Sequence, residues 1–273
     1  MVERGASQKR SERRQWVKAI ILIALLTALQ AANRPPALVR LDRAPVLSSA
    51  LKATEAELDK VVVDGLAALA DANLSPPQMV DRLDTIAQRL GAQHPPLHEL
   101  VVTDGMRRGR VTVIAGSGKF VVTVIAPETS TGHEHAGVVA ARIVWTGADP
   151  REIERRVKQI QAALRLVGTS DVSVGINLYG RLGRSLGPEA LADLARRAAA
   201  VAGVTVSQEA SDAGWVSLAG RSPRLGTIAL PIGAGSAGSG GVRTVNFQVA
   251  LTADPTTDTT EVVVASPAIS SEF

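Results

Sequence analysis

Two helix-start signatures, Leu74-Ser75-Pro76 and Leu186-Gly187-Pro188, stand at matching places in the two halves of this chain. Each follows a strand-like run and precedes four more such runs. This repeated order restricts the fold more than any other feature of the sequence. Ser or Gly before Pro suits a helix N-terminus, because proline occupies the first turn, where its missing N–H is not needed. Met79, Leu83, Ile86 and Leu90 then recur at helical spacing up to Gly91. Leu191, Leu194, Ala198 and Val201 do the same up to Gly203. Met79 and Leu191 fall at the same offset from the two signatures, as do Asp81 and Asp193.

Around these helices lie Val- and Ile-rich runs bounded by turn residues, the pattern of strands. Lys60–Asp71 opens as a strand, and its Ala- and Leu-rich end fits strand or helix. Leu97–Thr103, Arg110–Ala115, Lys119–Ala126 and Val138–Thr146 follow the first helix. Asp149-Pro150 opens another helix, with Ile153, Val157, Ile160 and Leu164 on one face and Gly168 as its stop. Asp171–Leu182 alternates Val172, Val174, Ile176 and Leu178 as a half-buried strand. Val204–Gln208, Gly214–Ala219, Val242–Thr252 and Thr260–Ala265 close the second set. Ser48-Ser49 predicts the cap of a helix running to about Asp59, with Glu55 and Glu57 on its surface. The expectation is an α+β fold of two duplicated β-α-β-β-β-β halves, residues 48–168 and 169–273. Their antiparallel sheets would pair edge to edge or curve together, with helices on one face. Alternation leaves open which set of side chains in each strand faces the helices.

The N-terminus carries a different signal. Residues 1–18 hold six basic and two acidic residues, and the apolar run Ala19–Leu29 follows at once. A basic region before a short apolar one is the layout of an export signal. The run is shorter than the ~20 residues a spanning helix needs. Residues 1–32 are therefore expected to act as a signal peptide or signal anchor, cleaved or retained, that puts the remainder outside the cytoplasm. Residues 33–47, with Pro35, Pro36 and Pro45, read as an extended linker. The chain has no cysteine, which excludes disulfides, thiol nucleophiles and a lipoprotein anchor.

Charge follows the same division. Of 30 basic and 26 acidic residues, the first 18 positions hold the whole excess, and the other 255 carry 24 of each sign. No net surplus exists in the folded part to build a nucleic-acid surface. Aromatics are scarce: after Trp16 there are Trp145, Trp215, Tyr179, Phe120, Phe247 and Phe273.

No motif assigns chemistry. Gly116-Ser117-Gly118-Lys119 partly matches a phosphate-binding loop, but Phe120 stands where Ser or Thr is required and a strand continues instead of a helix. It reads as a hairpin turn. His133-Glu134-His135 puts two imidazoles at i and i+2, on one side of an extended segment, with His94 and His98 as further donors; the spacing assembles no metal site. There is no GxSxG elbow, and Asp254 and Asp258 lie in a turn. Residues 233–241 form a Gly/Ser linker without lysine. No residue is assigned as catalytic, cofactor-binding or metal-ligating, and no cofactor is expected.

The C-terminal stretch, Val245-Asn246-Phe247-Gln248-Val249-Ala250-Leu251 and then Val262 through Ser266-Pro267 to Ser271-Glu272-Phe273, resembles the end of YwmB-family proteins. Those finish in a strand, a Thr/Ser-Pro and a terminal hydroxyl-Glu-aromatic. Asn177-Leu178-Tyr179-Gly180 before a helix and the Val216-Ser217-Leu218 strand are also similar. The resemblance implies a duplicated fold like that of the TATA-box-binding protein, in an exported protein of the Gram-positive kind, with no established activity to transfer. The chain departs from the family in its Gly/Ser loop and its Ala- and Arg-rich composition. Three functions come into view: a non-catalytic binding or scaffolding module of the cell envelope, with an envelope protein or wall polymer as partner; a hydrolase of wall polymer; and a DNA-binding protein. Charge balance and export argue against the last, and the lack of a catalytic motif argues against the second.

Overall fold

The computed structural model describes residues 43–71, 74–92, 98–103, 106–115, 118–127, 137–147, 149–169, 172–226, 230–231 and 244–267. The export segment, His94, the His133-Glu134-His135 run, Gly116-Ser117, residues 233–241 and the C-terminal Ala268–Phe273 lie outside these. Helix α1 is Arg43–Ala53. It begins earlier than the Ser48-Ser49 cap, inside the expected linker, because Pro45 falls in its first turn, where proline is tolerated. It also ends earlier: Glu55 has φ 65°, left-handed and non-helical, and Glu57 already opens a strand.

That strand, β1, is Glu57–Ala68. The Ala- and Leu-rich end left open by propensity is strand, because pairing on both sides overrides intrinsic preference. Helix α2 (Pro76–Arg89) starts as expected. The Ser75 backbone N–H and hydroxyl both donate to Gln78 Oε1, each at 2.8 Å. Strands β2 (His98–Thr103), β3 (Met106–Ala115), β4 (Gly118–Pro127) and β5 (Val138–Trp145) follow. Helix α3 (Pro150–Leu164) is capped by Asp149, whose carboxylate accepts from the Arg151 N–H at 2.9 Å. Then come β6 (Ser173–Leu182), α4 (Pro188–Val201), β7 (Thr205–Asp212), β8 (Trp215–Arg221), the short pair β9 (Leu230–Pro231) and β10 (Thr244–Val245), β11 (Phe247–Asp254) and β12 (Thr259–Ser266). Gly203, with φ 67°, ends α4 in a conformation that only glycine adopts freely.

Ten strands form one antiparallel sheet in the order β2-β3-β4-β5-β1-β6-β12-β11-β8-β7. The centre is the β1–β6 pair, in which Val63 faces Ile176 and Val61 faces Leu178. Helices line up on one face in the order α2-α3-α1-α4. Two of them cross the centre. Helix α1, which precedes β1, packs on β6, β12 and α4; helix α3, which precedes β6, packs on β1, β5 and α2.

The core lies between this layer and the sheet. Ile153, Val157, Ile160 and Leu164 of α3 are all buried, as are Met79, Leu83 and Ile86 of α2. Leu191, Leu194 and Ala198 of α4 are buried too, but Val201 in its last turn is 40% exposed, beyond the edge of the packed face. Val61, Val63 and Ala67 point to the helices, and Gly65 between them lets α3 approach. A Cβ there would run into Ile160 Cγ2 and stand 2.6 Å from Leu164 Cδ1. The facing set is thereby fixed: Val174, Ile176 and Leu178 lie under the helices, and Gly175, Asn177 and Tyr179 lie on the opposite face. Arg43 is also buried on the helix side. Its Nη1 donates to the Val174 carbonyl at 2.8 Å, and burial pulls its pKa down to about 10.

Candidate functional site

The sheet face away from the helices carries the chain's concentration of polar side chains, across the central seam. Pairing alone brings them together. Asp64 of β1 is opposite Arg142 of β5, Val62 is opposite Asn177 of β6, and Lys60 is opposite Tyr179. The Arg142 Nε donates to Asp64 Oδ1, and the Asn177 Nδ2 donates to Asp64 Oδ2 at 3.3 Å. The Lys60 ammonium stands 4.7 Å from the centre of the Tyr179 ring, a cation–π distance.

The electrostatics favour binding over proton chemistry. Asn177 is fully buried, and Val263 and Ala265 of β12 beside the seam are buried as well. Burial first and the Asp64 charge second raise the Tyr179 phenol to about 12, while Arg142 opposes. The phenol is therefore a hydrogen-bond donor at neutral pH and not a phenolate nucleophile. The Asp64 carboxylate has one oxygen committed to a guanidinium and the other to an amide. Such a set orients charges and amides; it does not pair a nucleophile with a base.

Next to this cluster an open cleft of about 370 Å3 lies at the ends of β3, β4, β5 and β1. Lys60, Lys119, Ile114 and Val144 line it. Lys119 of the glycine-rich motif thus reaches a recess, yet it does so from the first residues of β4, opposite Ile114 and Val144. No helix N-terminus follows it, so the phosphate-loop reading fails on geometry.

The remaining candidates serve structure. His98 pairs with Asp84 at 2.9 Å and fastens the edge strand β2 to α2. Asp254 accepts from Thr256 and Thr257 in the β11–β12 turn, which holds its pKa low through the Thr257 hydroxyl first. Asp258 accepts from the Ser185 N–H at 3.0 Å. Among the described residues no group of three His, Asp or Glu side chains is arranged to hold a metal. Among them, too, no helix is long and apolar enough to cross a membrane.

Sequence reasoning did not bring Lys60, Asp64, Arg142, Asn177 and Tyr179 together as one cluster. A signal existed: each interrupts a strand of small or branched apolar residues at an alternating position. Compared with known proteins, the chain matches no family model and no curated protein. Among solved structures, the crystal structure of the Tle4-Tli4 complex aligns over 79% of this chain and 83% of that one, at 10% identity and a TM-score of 0.17. That likeness carries no argument about fold or function.

Proposed function

We propose that this chain is a non-catalytic binding or scaffolding module of the cell envelope. It works outside the cytoplasm, delivered there and tethered or released by residues 1–32, with an envelope protein or wall polymer as its partner. The observation that carries the reading is the polar seam at Lys60, Asp64, Arg142, Asn177 and Tyr179, on the sheet face opposite the described helices. The basic-then-apolar N-terminus supports export.

The two halves descend, in this reading, from an internal duplication with the architecture of the TATA-box-binding protein, as the resemblance to the YwmB family implies. The strand order supports it. Read outwards from the centre, each side runs from its first strand to its last and then back to its second. Nucleic acid is not the partner in this reading, because export carries the chain away from it and the part beyond residue 18 has no net positive charge.

Proximity labelling from the full chain in its own cells tests the proposal. Envelope proteins should be recovered and cytoplasmic ones should not. Hydrolysis of purified wall polymer by the chain, abolished by Asp64→Asn, would establish the hydrolase instead.

A further inference from the structure

The first half's part of the sheet face differs in charge from the second half's. Arg108 and Arg110 on β3, Lys119 on β4 and Lys60 on β1 all point away from the helices, as the register requires. Among the described residues, none of the four forms an ion pair. Among the described residues, Glu99 stands across from Arg110 at the edge and Asp59 lies at the rim of the cleft. Asp64 is already engaged by Arg142 and Asn177. On the second half's face, by contrast, Arg181 is matched by Glu261 at 4.0 Å. A balanced total thus conceals a local surplus. Strand spacings of about 4.8 Å and rises of about 3.4 Å per residue spread the four cations over a field of roughly 14 by 27 Å.

We infer that this field binds an anionic phosphodiester polymer of the cell wall. The inference rests on the envelope reading above and names the partner for it. Cations spread over β3, β4 and β1 suit a chain of repeated phosphates, each of which gains a counter-charge on docking. The Lys60 and Lys119 ammoniums flank a recess that takes one such group, with Ile114 and Val144 as apolar walls. The field is a poor membrane surface, because Ile114, 74% exposed, is the large apolar side chain it offers to a bilayer. It is equally poor for single-stranded nucleic acid, since the Tyr179 ring is already covered by Lys60 and Trp145 at the cleft is 4% exposed, which leaves no open ring face to stack on a base.

The test uses the full chain, with non-ionic detergent diluted below its critical micelle concentration, and three probes: purified poly(glycerol phosphate) wall polymer, phosphatidylglycerol vesicles and duplex DNA. Polymer binding is expected to weaken by on the order of tenfold or more when salt rises from about 50 to about 200 mM, as about four phosphate contacts imply. Combining Arg108→Gln, Arg110→Gln, Lys60→Gln and Lys119→Gln should remove most of it, whereas Arg221→Gln on the second half should leave it unchanged. The basic N-terminus is common to all variants, so the difference reads the sheet face alone. No polymer binding, equal polymer binding by the fourfold variant, or a larger loss of vesicle or DNA binding than of polymer binding in that variant overturns the inference. If binding fails while labelling still recovers envelope proteins, the envelope reading stands and the polymer does not.

Discussion

Tyr179 is the single tyrosine of the chain, so its phenol titrates without interference from another. Its pKa is raised to about 12, first by burial and then by the Asp64 charge. A phenol raised above its unfolded value of about 10 favours the folded state while neutral. That contribution is complete below pH ~10 and is lost as pH climbs from there through the folded pKa. Ultraviolet difference absorbance should place the folded midpoint about two units above that in denaturant. A folded midpoint at the ordinary value would mean that the seam is wet and Asp64 elsewhere. At this scale the sequence was partly legible. Asp64 after Val61-Val62-Val63 and Asn177 between Ile176 and Leu178 stand out as polar breaks in strands. What joins them is register between strands far apart in the chain, and no local pattern encodes that.

Elements were legible where their ends are chemical. Ser75 before Pro76 and Asp149 before Pro150 mark helix starts at the residue, and the apolar faces of α2 and α3 are the buried ones. α1 was misplaced because Ser48-Ser49 offers a cap that the packing of Ala44, Val46 and Leu47 overrides. The Ala-rich end of β1 was open for a related reason: propensity is weak, and two neighbouring strands decide it. The α3–β1 contact gives the sharpest test here. Gly65→Val would drive side-chain atoms into Ile160 and Leu164. It should destabilise the protein by about 3 kcal/mol, the upper part of the range for overpacking, read by urea unfolding. A variant as stable as the parent would mean that α3 does not lie on β1.

For the whole molecule, element order was legible and the spatial interlock was not. Nothing in the order strand, helix, four strands tells that α1 will lie on β12 and α3 on β5, because both crossings are tertiary. They have a consequence for cutting the chain. A fragment ending at residue 148 leaves α1 without β6, β12 and α4, and the fragment from 149 leaves α3 without β1, β5 and α2. Each alone should lack cooperative unfolding, and the two mixed should regain it, measured by circular dichroism against urea. A monomeric fragment that unfolds cooperatively by itself would refute the interlock. The account as a whole depends on where the folded part resides. The most direct measurement is a pair of C-terminal reporter fusions to the full chain, one active outside the cytoplasm (alkaline phosphatase) and one active inside (β-galactosidase). The account predicts an active phosphatase and a silent galactosidase; the reverse pattern would contradict it.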